Sequence, residues 1–329
     1  VIGLCLAVAV GGASAWRAGL ATEATQAEVV TAEEVKPAVD PLTEPFNAAK
    51  LAPKGHELGS QWPVLPHQCD DQEGAPPEKQ HVPCETLKPL NADSDFVVII
   101  VGSSHSRQFI PALMDTAKKQ NWQIINLSMD GCAFADNPTT GARCQDYFDY
   151  AMAQIMRIKP DLVVTTATAA RPASAKEAMT VGGVDAIRAV RALGIDVLAF
   201  RDNPRWSTNA YQCAEAVIEG GGTPEQADAT CGAAVTAKLA AENPLDEAEA
   251  ASDPMASSAS DSGGAQQADA GRLITVDLTD RICPDGRCSP ILGNRYVYMD
   301  NNHLTRAFTT AVAPDVSTRL ADAKVGAAR

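Results

Sequence analysis

Phe96-Val97-Val98-Ile99-Ile100-Val101-Gly102-Ser103-Ser104-His105-Ser106 is the stretch on which the reading of this chain turns. Its first six residues are all apolar and mostly β-branched, the pattern of a short strand buried on both faces. The run stops at Gly-Ser and opens into a helical pattern. A strand that ends this way presents a hydroxyl at a sharp turn, where backbone N–H groups at the helix start can receive an oxyanion. Far downstream the chain supplies Asp300-Asn301-Asn302-His303-Leu304. A neutral serine is a weak nucleophile that needs a base in hydrogen-bond reach, and an imidazole used as base needs a partner that fixes its tautomer. Asp300 and His303 suit those roles if the chain enters a helix near Asn301, with the carboxylate in the cap region and the imidazole in the first turn. Spacing alone equally allows Asp300 to cap the final helix and His303 to be a polar surface residue.

Outward from this stretch, strands are expected at 96–101, 122–127, 161–167, 195–201 and 273–276, with helices at 106–120, 145–158 and 184–193. Alternating strands and helices, with near-continuous apolar strands, predict an α/β fold whose parallel sheet is covered on both faces, a three-layer α/β/α arrangement. In such sheets ligands bind beyond the strand C-termini, where Gly102 and Ser104 lie. No internal repeat is evident. Residues 240–270, with Asp-Pro, Ser-Ser-Ala-Ser and Gly-Gly, hold few large apolar side chains and read as a flexible surface insertion.

The chain has 329 residues, enough for one good core plus tails. Its formal charge of −14 excludes nucleic acid or an anionic membrane surface as the main partner, since no run of Lys and Arg interrupts the acidic balance. Residues 1–17 begin without Met and stay uncharged as far as Trp16-Arg17. They read as the last turns of a transmembrane helix, or as a signal peptide for which Ala13-Ser14-Ala15 fits the cleavage site. Residues 18–60, rich in Ala, Glu, Thr and Pro, read as an acidic tether. Residues 61–94 read as a lead-in lobe, 95–320 as the catalytic domain and 321–329 as a tail.

Beyond Cys5, eight cysteines remain: Cys69, Cys84, Cys132, Cys144, Cys213, Cys231, Cys283 and Cys288. They fall as four sequence-local pairs and none has CxxC spacing, which predicts nearest-neighbour disulfides in an oxidising compartment outside the cytoplasm. His67 and His81 flank the first pair, but their spacing matches no metal template, so neither a metal nor another cofactor is expected.

The succession VVIIVGSSHS at 97–106, NLSMDGCAF at 126–134, IKPDLVVTTATAARP at 158–172, VLAFRDNPRW at 197–206 and DLTDRICPDGRCSPILGNRYVYMDNNHLTRAF at 277–308 resembles the SGNH domain fused to acyltransferase-3 membrane proteins. The resemblance implies a flavodoxin-like SGNH-hydrolase fold, with Ser104 as nucleophile, Asp300 and His303 completing a triad, and Gly131 contributing to the oxyanion hole. Two departures stand out. Ser103 replaces the family's Asp before the nucleophile, and the strand end Thr165-Thr166-Ala167-Thr168-Ala169-Ala170-Arg171 lacks the family's oxyanion Asn. Thr168 and Arg171 are the candidate replacements, although Arg171 equally suits a structural ion pair.

His105 either lines the pocket or makes a local helix-start hydrogen bond. Trp206 either offers a platform for a sugar ring or closes a structural turn. Trp62 and Trp122 read as core or lobe packing. The resemblance implies an extracytoplasmic, membrane-attached O-acyltransferase. It would take an acyl group, acetyl above all, from a transmembrane acyltransferase domain and pass it to an envelope glycan or glycolipid. A carbohydrate esterase with the same triad and a non-catalytic acceptor-binding module are the alternative classes.

Overall fold

The computed structural model describes residues 39–71, 73, 82–91, 96–172, 174–252 and 270–326. Its central sheet has seven strands: β1 (His67–Gln68), β2 (Glu85–Leu87), β3 (Val97–Ile100), β4 (Gln123–Asn126), β5 (Leu162–Thr166), β6 (Asp196–Phe200) and β7 (Leu273–Val276), in the spatial order β1-β2-β4-β3-β5-β6-β7. The five strands from β3 onward are mutually parallel, while β2 joins β4 antiparallel and β1 joins β2 antiparallel. Among the parallel strands the order is that of a flavodoxin-like sheet, as expected. Its topological switch point lies between the C-terminal ends of β3 and β5.

Side-chain alternation divides the interior into two cores. Val98, Ile100, Leu162, Val164, Leu198 and Phe200 face one core, together with helices α2 (Ile110–Lys119), α5 (Arg306–Ala311) and α6 (Ala313–Asp322). Ile99, Val101, Ile125, Val163, Val197 and Ala199 face the other, beneath α3 (Ala142–Ile158) and α4 (Gly183–Ala192). The helix expected over 106–120 is in fact two. A single turn, α1 (Ser104–Arg107), ends at Gln108, and α2 restarts at Ile110 with Pro111 in its first turn, where proline has no N–H to contribute to a continuing helix.

All four disulfides close between sequence neighbours: Cys69–Cys84, Cys132–Cys144, Cys213–Cys231 and Cys283–Cys288. Among the described residues no helix is long and apolar enough to cross a membrane. The expected membrane or signal segment, 1–17, lies outside the described residues, as do 18–38, His81, 253–269 and 327–329.

Three boundaries change. The described residues from Asp40 onward belong to one compact unit. Residues 40–60, expected within the tether, are therefore part of the domain. Leu42 and Leu51 are buried, Arg281 clamps Asp40 at 2.7 Å, and Arg295 donates to Pro41 O at 2.7 Å. Low average hydrophobicity hid these few strong anchors. The lead-in segment 61–94 is no separate lobe either, because β1 and β2 extend the sheet and cover the β4 edge. The insertion 240–270 is ordered at its start: Pro244–Ser252 is helical, with Leu245 and Ala248 fully buried beside the second core.

Leu51 is 3% exposed and packs with Tyr211, Ile291 and Tyr296. Leu51→Ala should therefore lower the unfolding free energy by about 2–4 kcal/mol in urea denaturation. An unchanged midpoint would return this segment to the status of a tether.

Candidate active site

The site is assembled from the loops that leave the sheet at its C-terminal edge. After β3 the chain reverses at Gly102, whose φ of +113° suits glycine and whose added Cβ would overlap Ser106 Oγ. Tyr147 holds this turn from below, its hydroxyl accepting from Gly102 N–H at 2.6 Å, and Met129 N–H donates to Gly102 O at 2.8 Å. Ser103 occupies the N-cap of α1 and accepts from His105 N–H through its hydroxyl at 3.2 Å. Ser106 Oγ accepts from Thr166 N–H at 2.9 Å, tying the helix start to the end of β5. Ser104 is left half-buried at the turn with its hydroxyl free of these bracing bonds.

Opposite it, His303 Nε2 lies 2.9 Å from Ser104 Oγ, and His303 Nδ1 lies 2.7 Å from Asp300 Oδ2. Asp300 Oδ1 accepts from the N–H groups of Asn302 and His303, both at 2.7 Å, so one carboxylate orients the imidazole and closes the loop that carries it. Burial works to raise the Asp300 carboxyl, but the His303 side chain and these N–H groups outweigh it and hold it below the ordinary value of 3.8. The helix expected near Asn301 begins only at Arg306 and is capped by Thr305, whose hydroxyl accepts from Phe308 N–H at 3.0 Å, so Asp300 caps no helix: one of its oxygens closes the loop turn and the other meets the imidazole.

The loop is fixed to the sheet by a further relay. Gln108 Nε2 donates to Asn203 Oδ1 at 2.8 Å, Asn203 Nδ2 donates to Asn302 O at 2.7 Å, and Leu304 N–H donates back to Gln108 Oε1 at 2.9 Å. The backbone N–H of Trp206 donates to Asn301 O at 2.7 Å.

A second histidine–carboxylate pair adjoins the first. His105 Nδ1 lies 2.6 Å from Asp202 Oδ1, both side chains are buried, and the His105 ring centre is 5.0 Å from that of His303. Asp202 also accepts from Asn203 N–H at 3.0 Å, Ala170 N–H at 2.8 Å, and Arg205 Nε and Nη2 at 3.0 and 2.8 Å. Burial pushes the Asp202 carboxyl up, but the charge and hydrogen bond of His105, with Arg205 and the Ala170 N–H, more than reverse this and keep it ionised.

A cleft of about 310 Å³ unites these parts; Ser104, His105, Gly131, Arg205, Asn302 and His303 stand on its wall. Gly131, from the loop after β4, stands on the cleft wall, and the Cys132–Cys144 disulfide braces that loop. Three expectations change. Thr168 borders the cleft, but its hydroxyl donates to Glu177 Oε1 at 2.6 Å and accepts from Asp202 N–H at 2.8 Å, so its proton is committed. Arg171 is exposed at the end of the Thr168–Arg171 hairpin strand and is not on the cleft wall. Trp206 is 5% exposed, edge-on to Tyr298 and covered by Lys238, which leaves no face for a sugar ring.

The aromatic beside the site is instead Trp62, half-buried and edge-on to His303 with ring centres 5.1 Å apart, its ring beneath the Arg107 guanidinium. His105 is a cleft residue, and its ring is tied to Asp202 rather than to its own helix. Sequence reasoning missed Gln108, and it considered the 202–206 strand end as a cleft segment only for Trp206, missing what Asp202, Asn203 and Arg205 do there. These three belong to the quoted Asp202-Asn203-Pro204-Arg205 strand end, so their position at a parallel-strand C-terminus was the available signal. Among the described residues, no group of His, Cys, Asp and Glu is arranged to hold a metal ion.

A family model described as "SGNH domain (fused to AT3 domains)" matches residues 68–318. No curated protein matches the chain. Among solved structures, the periplasmic domain of a lipopolysaccharide acetyltransferase from Salmonella ser. Paratyphi A aligns with a TM-score of 0.46 and 14% identity, covering 69% of this chain and 84% of that one.

Both lowered carboxylates contribute stability that is fully present above their unfolded value near 3.8 and lost as pH falls through the folded one. The urea midpoint should therefore drop steeply below about pH 4. Asp202→Asn should cost about 3 kcal/mol or more at neutral pH, by leaving His105 and Arg205 without their buried anion, and should flatten the acid limb. An unaltered acid limb in that variant would show that Asp202 does not carry the effect.

Proposed function

The chain belongs to the family of SGNH domains fused to AT3 domains, and from that premise we propose that it is the extracytoplasmic acyl-transfer module of a membrane O-acyltransferase. The module would carry an acyl group, acetyl by preference, to a hydroxyl of an envelope glycan or glycolipid. The observation that carries the reading is the continuous chain from Ser104 Oγ through His303 to Asp300, at 2.9 and 2.7 Å, opening on a cleft. The four disulfides support an oxidising compartment.

In the first half-reaction Ser104 Oγ attacks the acyl carbonyl while His303 Nε2 takes its proton. The tetrahedral intermediate collapses, the leaving oxygen receives that proton, and the acyl group stays on Ser104. In the second half-reaction the acceptor hydroxyl gives its proton to His303 Nε2, its oxygen bonds to the acyl carbon, and Ser104 Oγ leaves with the proton. Asp300 keeps the proton-bearing Nδ1 turned inward and offsets the imidazolium charge.

With no Asn on the β5 end, we assign the oxyanion to the backbone N–H groups of Ser104 and Gly131 and to the Arg205 guanidinium. Two of its nitrogens are held by Asp202, and the side chain is one-quarter exposed on the cleft wall. Trp62 flanks His303 where a sugar ring of the acceptor would pass.

Incubation of the chain with an activated acetyl ester, followed by early quenching and peptide mapping, should find the acetyl group on Ser104 and none in Ser104→Ala. Full activity of Ser104→Ala in both transfer and hydrolysis would sink the assignment. Asp300→Asn should keep the fold and lower kcat by about 10³–10⁴-fold. Arg205→Ala should lower kcat by about 10²-fold or more with little change in KM, and an effect confined to KM would make Arg205 an acceptor-binding residue instead.

A further inference from the structure

A second cavity, of about 500 Å³, lies where residues 44–61 cross the segments 294–295 and 306–310. Lys50, Arg295 and Arg306 stand on its wall against one carboxylate, Glu44, whose Oε2 accepts from Asn294 Nδ2 at 3.2 Å. A local excess of cations is unexpected in a chain with 41 acidic and 27 basic residues. Arg295 is set in place by its bond to Pro41 O at 2.7 Å. Among the described residues neither Lys50 nor Arg306 forms an ion pair, so both charges are free to meet an anion from outside.

The cavity is joined to the active site at two points. Gln61 on its wall accepts from Ala307 N–H at 3.1 Å and immediately precedes Trp62, which touches His303. Arg306 follows His303 by three residues, a Cα separation of at most about 11 Å. A polyvalent cationic pocket this close to the acyl-carrying serine can hold one end of an acceptor whose hydroxyl reaches the other.

We propose that this cavity is an acceptor subsite for an oxyanion substituent, a phosphate or a carboxylate borne by the sugar being acylated. The proposal rests on the acyl-transfer reading above and narrows it: the acceptor is an anionic glycan or glycolipid, not a neutral one. The net charge of −14 then acts in the same direction, repelling anions elsewhere and leaving this pocket as their landing place.

The test compares acyl transfer from an activated acetyl ester to trehalose 6-phosphate against trehalose, and to a galacturonate dimer against lactose, in the chain and in the Lys50→Ala/Arg306→Ala variant. The ratio of kcat/KM for charged over neutral acceptor is read within each protein, so a general loss of activity cancels. The chain should prefer at least one anionic acceptor by about tenfold, the worth of two partly exposed charge contacts. Which pair shows the preference distinguishes phosphate from carboxylate. The ratio should fall toward one in the variant and at high salt.

A ratio of one in the unaltered chain, or a preference that survives the double substitution, overturns the proposal. If no acceptor is acylated at all, the acyl-transfer reading fails separately. The subsite is then read by NMR titration with inorganic phosphate and glucuronate, where saturable shifts lost in the variant uphold anion binding and their absence refutes it.

Discussion

At Gly102 the chain must turn from β3 into α1 with a backbone conformation that side chains avoid and with no space for a Cβ against Ser106. Everything that follows in the site is referred to that turn. Because it is fixed by Tyr147, by Met129 N–H and by the Ser106–Thr166 bond, Ser104 projects from a point where strands on both sides contribute. The loops after β4, β5 and β6 then converge on one serine, which is the geometric property of a switch point in a parallel sheet. The histidine arrives from the opposite direction, beyond β7. It can reach the serine only because Gln108, one turn beyond it, is also the residue that bonds the Leu304 backbone and, through Asn203, that of Asn302. Nucleophile and base are thus indexed to the same short helix.

Asp202 is the costliest feature of this arrangement and accordingly the most informative. A fully buried carboxylate is destabilising unless nearly all its lone pairs are met, and here five N–H donors meet them. The result is an anion placed two steps from the reacting serine that locks His105 and Arg205 in one orientation. Each ring has its own carboxylate, Asp202 for His105 and Asp300 for His303, while Arg205 stands on the cleft wall.

The parallel strands were legible because each lies in a near-continuous apolar run, and the disulfides because each pair brackets one short loop. Spacing alone left Asp300 and His303 undecided, and the family resemblance singled them out with Ser104; the structure brings the three side chains into one hydrogen-bonded line. What composition could not convey is how little anchoring suffices. Leu42 and Leu51 are two apolar residues in a long acidic, proline-containing stretch, yet with Asp40–Arg281 they fasten residues 40–60 to the domain. Leu245 does the same for the start of the insertion. The oxyanion donors were misjudged for a related reason. Thr168 sits at the right strand end, but whether its hydroxyl is free depends on Glu177, which belongs to the returning hairpin strand, and on the Asp202 amide of the next β-strand loop. Likewise Lys50, Arg295 and Arg306 are scattered along the chain and become a cluster only when residues 44–61 are laid across the end of the domain.

Ser103, where the family it resembles carries Asp, can be understood in the same terms. The N-cap function survives the exchange, since a serine hydroxyl accepts from His105 N–H as a carboxylate would. The charge does not. An aspartate there would add a third carboxylate beside a cleft that already has Asp202 and Asp300 behind its wall, immediately next to Ser104. In this chain the negative charge is instead confined to positions where a histidine or arginine stands between it and the serine. That leaves the wall nearest Ser104 neutral or positive, with the Arg205 guanidinium upon it.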